Sequence, residues 1–213
     1  MRRSVLTPLA LCSVLSLAAC GGAAQAPQTS PMEEAGGSSA GLTAAPTEEP
    51  FEVTHAEIVG ADGAKHGTVR VNDDSGRLEI VVEATGLTPG FHGIHLHGIG
   101  KCEPDSPDPK DATKKGDFLS SGGHLGEGAH PDHPADLPTL LVMKDGTARM
   151  SVVTDRLDAD TLLDEDGSAF VVHEKPDNYA NIPERYAAGG PDAETTKAGD
   201  AGPRVACGVL TTS

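Results

Sequence analysis

The residues with the most chemical potential lie in Gly90-Phe91-His92-Gly93-Ile94-His95-Leu96-His97-Gly98, where three of the chain's nine histidines fall within six positions. On an extended strand side chains alternate faces, so His95 and His97 point the same way, with imidazoles close enough to share one ion. His92 is out of that period. Neutral imidazole suits copper, zinc, iron or nickel, and two ligands from one strand arrive largely pre-positioned. A hydrogen-bonded histidine cluster without an ion would read the same from this stretch alone, so the decision rests on further ligands elsewhere.

Two other segments supply candidates. Gly122-Gly123-His124, His130-Pro131-Asp132-His133 and Asp136 place three imidazoles and a carboxylate within thirteen residues. His124, His130, His133 and Asp136 can close a tetrahedral zinc site with no vacant position. A polar, histidine-rich loop with no ion is the competing reading and stays open at this point. In Phe170-Val171-Val172-His173-Glu174-Lys175-Pro176-Asp177, His173 closes an apolar strand, where it can turn inward toward His95 and His97.

The elements that must position these groups are strands. The stretches Phe51 to Val59, Gly67 to Val71, Gly76 to Ala84, Leu137 to Lys144, Thr147 to Thr154, Ser168 to His173 and Arg204 to Leu210 alternate or are wholly apolar, with turn residues between them. Short strands at hairpin spacing predict an all-β, antiparallel sandwich or barrel. The one helix candidate is a short piece around Leu157 to Leu163. Two long stretches, Gly98 to Pro138 and Glu174 to Pro203, exceed what a hairpin needs, and structureless loops of that length in a compact domain are usually functional.

Composition narrows the partners. There are 32 acidic against 16 basic residues, a net charge of −16, and loss of Arg2 and Arg3 with the first twenty residues leaves −18. A surface that acidic does not grip nucleic acid or an anionic membrane. With no Trp, two Tyr and four Phe, the core is built of Val, Leu and Ile. Residues 1–20 read as an export signal: Arg2-Arg3, then an apolar run from Val5 to Leu17 too short to span a bilayer, then Leu17-Ala18-Ala19-Cys20. That ending resembles the lipobox of bacterial lipoproteins, which implies lipidation of Cys20, a lipid-anchored protein outside the cytoplasm, and contact with the membrane only through that lipid. Residues 21–50 are Gly, Ala, Ser, Thr and Pro with four Glu and almost no large apolar side chain, so they are expected to form a disordered tether. Thirty such residues reach roughly 30 Å.

Cys12 and Cys20 belong to the leader, which leaves Cys102 and Cys207 as the thiols of the exported domain. An oxidising compartment pairs them by default. A bridge closing about 105 residues is worth up to ~4.7 kcal/mol in the chain-entropy model. It would staple the first long loop to the terminal strand that carries Arg204.

Together these residues resemble the copper-zinc superoxide dismutase family. Gly90 to His97 looks like its copper-binding strand, Gly122-Gly123-His124 like the segment with the bridging histidine, and His133-Pro134-Ala135-Asp136-Leu137 like the end of its zinc loop. Val172-His173-Glu174-Lys175-Pro176-Asp177 and Gly202-Pro203-Arg204-Val205-Ala206-Cys207-Gly208-Val209 resemble its two remaining signatures, all in family order across residues 51–213. The resemblance implies a Greek-key β-sandwich or barrel of immunoglobulin-like architecture with two long functional loops. It implies copper on His95, His97, His124 and His173, and zinc on His124, His130, His133 and Asp136. Asp177 would hydrogen-bond a copper-ligand and a zinc-ligand imidazole at once, and His92 would be a buried support and not a ligand.

The implied activity converts two superoxide anions and two protons to O2 and H2O2, with Arg204 pairing to the anion and His124 handling a proton. A non-catalytic copper-binding or copper-delivery protein of the same fold is the alternative; such relatives usually lack a copper ligand or the arginine, and neither is missing here. The sequence leaves a homodimer open. It also departs from the family in the short spacing of His130, six residues after His124 and three before His133, which is expected to strain the closure of the zinc site. The stretch Asn178 to Tyr186 is longer than the compact animal form and resembles the loops of actinobacterial relatives. A net negative charge opposes an anionic substrate, but exposed charges beyond a Debye length of ~8 Å are largely screened. The local field therefore decides, with Arg204 and the loop residues Lys101, Lys114, Lys115, Lys175 and Lys197 as candidates.

Overall fold

Alternation of apolar and polar side chains builds the main sheet. Strand β3 (Arg77–Ala84) buries Leu78, Ile80, Val82 and Ala84 and turns Glu79, Val81 and Glu83 outward. Its partner β2 (Lys65–Asp74) does the same with Val69 and Val71, and β1 (Phe51–Gly60) with Ala56 and Ile58. The β2–β3 turn is Ser75-Gly76, both at positive φ (56° and 84°), the mirror-image turn whose twist matches a two-residue hairpin. The computed structural model describes residues 51–211; the expected leader with Cys20 and the tether of residues 21–50 lie outside the described residues.

The remaining strands are β4 (Gly90–His92), β5 (Ile94–His97), β6 (Ser106–Asp108), β7 (Asp111–Gly116), β8 (Leu140–Val142), β9 (Ala148–Thr154), β10 (Ala169–His173) and β11 (Arg204–Val209). Seven of them form one antiparallel sheet in the order β5-β10-β11-β1-β2-β3-β9. The sheet curls: β9 continues from β8, β8 pairs with β4, and β4 leads back through Gly93 to β5 at the opposite edge. This is the all-β, Greek-key arrangement expected. Ile58, Val69, Ile80, Val82, Ile94, Leu96, Phe170 and Val172 fill its interior with no exposed surface, each worth about 1.5–3 kcal/mol of transfer free energy.

Strands β5, β10 and β11 are buried on both faces, and the second face matters for function. Ile94 and Leu96 enter the core, so His95 and His97 project from the other side. On β10, Phe170 and Val172 enter the core while Ala169, Val171 and His173 share the histidine face, because Val171 lies opposite His95 and Ala169 opposite His97. Val171 also lies opposite Cys207, and His173 opposite Arg204 past an irregularity in the ladder. Three adjacent strands thus present His95, His97, His173 and Arg204 on one surface, which the two long loops cover.

Those loops are not structureless, contrary to expectation. The first contains the β6–β7 hairpin and a 3-10 turn (Leu119–Ser121); the second contains a one-turn helix α2 (Thr195–Ala198). The hairpin has no buried stripe to betray it, since only Ser106 of its residues is buried. The expected short helix is present as α1 (Ala159–Leu162), capped by Asp158, whose Oδ1 accepts from the Thr161 N–H at 2.8 Å. The Cys102–Cys207 disulfide forms as expected, with a Cα–Cα distance of 5.7 Å, and ties the first loop to β11.

Candidate metal centre

The first loop returns to β5 as a short extra strand. Leu125 N–H donates to Leu96 O at 2.8 Å and Gly98 N–H to Gly123 O at 3.1 Å, which sets His124 beside His97. The ring centroids of His95, His97, His124 and His173 then lie between 3.9 and 6.4 Å apart.

Each of these four rings is fixed through one nitrogen. His95 Nε2 is 2.7 Å from Asp177 Oδ2, His97 Nδ1 is 2.9 Å from Gly122 O, His124 Nδ1 is 2.7 Å from Asp136 Oδ1, and His173 Nδ1 is 2.9 Å from Gly202 O. The opposite nitrogens, His95 Nδ1 and Nε2 of His97, His124 and His173, are buried with no hydrogen-bond partner. One ligand atom from each residue lies within 4.8 Å of the others. Buried polar atoms rarely go unpaired, and four such atoms facing one point fit a metal ion. Metal–nitrogen bonds of ~2.0–2.1 Å need donors about 3–4 Å apart, so small side-chain movements close the set. The outer bond on each ring selects the tautomer whose lone pair faces inward.

Electrostatics supports the same reading. Burial lowers His124 to about 4 and His173 to about 3, and takes His97 well below its usual value, so all three stay neutral at physiological pH. Neutral imidazole is the ligating form.

A second group surrounds Asp136. Its Oδ1 takes His124 Nδ1, and its Oδ2 lies 3.0 Å from both His130 Nδ1 and His133 Nδ1 and accepts the His133 backbone N–H at 3.1 Å. The short spacing of His130 therefore does not keep its ring away. Measured by mutual ligand-atom distance, the tight set is His95, His124, His130 and Asp136, with His133 outside. His95 cannot serve there, however: Nε2 is occupied by Asp177 and Nδ1 belongs to the first group. His133 Nδ1 stands beside this set, 3.0 Å from the same carboxylate oxygen. His130 Nδ1 is also buried without a hydrogen-bond partner despite its proximity to Asp136, so this donor set likewise fits an ion. Burial works against a charge on His130, but the adjacent Asp136 and Asp177 carboxylates outweigh it and raise this ring to about 9 in the ion-free chain. Both carboxyls are in turn held well below their usual range, against the effect of burial, by these same imidazoles.

Asp177 joins the two groups. Oδ2 meets His95 Nε2 and Oδ1 meets His130 Nε2, both at 2.7 Å. His92 is buried and contributes no ligand atom. Its ring nitrogens lie 2.7 Å from His173 O and 2.8 Å from Thr88 O, tying β4 to the end of β10.

Arg204 sits beside the first group. Nη1 donates to Phe118 O at 2.5 Å and Ser121 Oγ at 3.0 Å, and Nη2 donates to Gly122 O at 2.6 Å, the carbonyl that also anchors His97. Burial lowers Arg204 to about 10, which leaves it fully charged. A cavity of about 620 Å³ opens over His97, His124, His173 and Arg204. Of the loop lysines expected to contribute to the field, Lys197 lines this cavity, whereas Lys101, Lys114, Lys115 and Lys175 do not. Lys110, at the tip of the β6–β7 hairpin, lines it instead; no local sequence signal marks that residue, because its place depends on the path of the hairpin.

This arrangement has close counterparts among known proteins. A family model described as copper/zinc superoxide dismutase (SODC) matches residues 65–210. The chain is 40% identical over 224 residues to a copper-zinc superoxide dismutase of Mycolicibacterium paratuberculosis, covering 97% of each. It is 43% identical over 163 residues to that of Mycobacterium tuberculosis, covering 72% of this chain and 68% of the relative. The structure aligns with the Cu/Zn superoxide dismutase of Brucella abortus at a TM-score of 0.56 and 29% identity, over 76% of this chain and all of the other. Sequence likeness over nearly the whole length and a shared fold agree with the two donor groups, and the chain belongs to the copper/zinc superoxide dismutase family.

Proposed function

We propose that this chain is a superoxide dismutase, converting two superoxide anions and two protons to O2 and H2O2, in which His95, His97, His124 and His173 hold copper. His124, His130, His133 and Asp136 would hold zinc, His124 being the one residue common to both groups. Copper in the first group supplies the one-electron acceptor and donor that the two half-reactions need. The protein supplies the rest. Arg204, fixed by three acceptors, holds a positive charge at the cavity floor where the anion arrives, so no side chain must be ordered on capture. His124 Nε2 faces that floor and is the group placed to carry a proton for the departing peroxide whenever that nitrogen is free, and in the ion-free chain Asp136 Oδ1, 2.7 Å from Nδ1, holds the ring in this orientation. Asp177 fixes His95, and Gly122 O and Gly202 O fix His97 and His173.

The observation that carries this reading is the set of four buried ring nitrogens without partners beside a charged, clamped arginine. A copper carrier has no use for that arginine. The test is superoxide decay measured with the copper- and zinc-reconstituted chain, alongside metal analysis. Fully metallated protein that leaves superoxide to its spontaneous rate ends the proposal.

The disulfide supports work outside the cytoplasm, where thiols stay oxidised. The lipobox-like ending Leu17-Ala18-Ala19-Cys20 supports the reading of a lipoprotein of the cell envelope, with diacylglyceryl and palmitoyl chains on Cys20 and residues 21–50 as the tether; Cys20→Ser should move the protein from the membrane fraction to the soluble one. For a homodimer, the candidate face is the β4–β8 pair, which exposes Phe91 and Leu141 and is followed by the exposed Met143. Sedimentation of the metallated domain decides it.

A further inference from the structure

We infer that Tyr179 is a positioning residue for zinc: it clasps the short zinc loop to the second long loop and sets the ring of His130. The inference rests on the assignment of His130 to zinc. Four observations carry it. The Tyr179 ring lies nearly parallel to that of His130, 13° between planes with centroids 6.1 Å apart. Its hydroxyl is 2.7 Å from both the backbone nitrogen and Oγ1 of Thr139, so it accepts from the Thr139 N–H and shares a proton with the threonine hydroxyl, three residues beyond Asp136. Its own N–H donates at 2.6 Å to Asp177 Oδ1, the oxygen that takes His130 Nε2. Finally, Tyr179 and Ala180 stand at φ 53° and 52°. Two successive non-glycine residues in the left-handed region persist only where surrounding contacts over-determine them, and such residues concentrate at functional sites.

The clasp answers a need visible in the sequence. The loop between His124 and Asp136 is short, with His130 three residues before His133, and within it the His130 ring meets Asp136 Oδ2. The remaining bracing comes from the second loop. His130 N–H donates to Thr196 O at 2.7 Å, Asp177 takes Nε2, and Tyr179 covers a ring face while reaching past the site to Thr139. The tyrosine therefore constrains the zinc loop from both sides of Asp136.

The test is zinc affinity of the copper-loaded full chain, measured by chelator competition, with Co(II) placed in the zinc position as a spectroscopic reporter. Residues that orient metal ligands typically change affinity by about 10–100-fold when lost, so Tyr179→Ala should weaken zinc within that range and alter the Co(II) visible bands. Tyr179→Phe keeps the stack and loses the Thr139 link; it should fall in between, at about three- to tenfold, and remain interpretable if the alanine variant folds poorly. Copper affinity of the zinc-free variants should stay within about twofold of the parent, because the Tyr179 N–H to Asp177 bond survives both substitutions. Zinc affinity and Co(II) spectra that match the parent in both variants, while His130→Ala loses zinc, overturn the clasp alone. Unchanged zinc binding by His130→Ala overturns the underlying assignment.

Discussion

Replacing Arg204 tests the proposed mechanism most directly. A unit charge about 4 Å from an anion is worth about 4 kcal/mol at an effective dielectric near 20. Arg204 is only partly buried and lines an open cavity, so screening by solvent reduces this to about 2 kcal/mol, or about 30-fold in kcat/KM. Arg204→Ala should show that loss. Arg204→Glu reverses the sign and should lose about another 30-fold. Arg204→Lys keeps the charge, but a single ammonium cannot span Phe118 O, Ser121 Oγ and Gly122 O together, so it should retain activity between the parent and Ala. The assay is stopped-flow or pulse-radiolysis decay of superoxide at low and physiological ionic strength. The salt dependence of the parent should shrink in Arg204→Ala and invert in Arg204→Glu. Because Gly122 O also anchors His97, copper content must be measured on each variant. A fully coppered alanine variant within about twofold of the parent would refute the capture role.

His173→Ala removes one of four converging nitrogens and should weaken copper retention against a chelator by at least about tenfold, with activity falling alongside; parent-like retention would exclude His173 from the site. Replacing Cys102 and Cys207 together by serine removes a bridge of sequence separation 105 and should cost about 2–4 kcal/mol, lowering Tm by roughly 5–15 °C, as calorimetry would show. Gly199 stands at φ +59°, and a Cβ there would run into Asp177 Oδ1 and His130 Nε2. Gly199→Ala should therefore cost at least about 1–2 kcal/mol and reduce zinc content, whereas unchanged zinc would mean that the second loop gives way without moving Asp177.

Much of this was legible in the sequence. The strand positions follow from alternation, as in Leu78, Ile80 and Val82, and the spacing of His95 and His97 fixes their common face whatever the rest of the chain does. The disulfide followed from there being two thiols in the exported domain. What sequence could not give depends on long-range paths. The β6–β7 hairpin packs without a buried stripe, so nothing in its local pattern delivers Lys110 to the cavity instead of Lys114 or Lys115. The placement of His130 was illegible for a related reason: bracing of that ring comes from residues 177, 179 and 196, which local spacing does not reveal.

Asp177 holds one imidazole of each donor group on its two oxygens. On the proposed assignment, whichever ion arrived first would hold that carboxylate and pre-orient a ligand for the other, so the two affinities would rise or fall by one common factor, in either loading order. Scarcity of zinc would then be felt as poorer retention of copper, and the reverse would hold with equal strength.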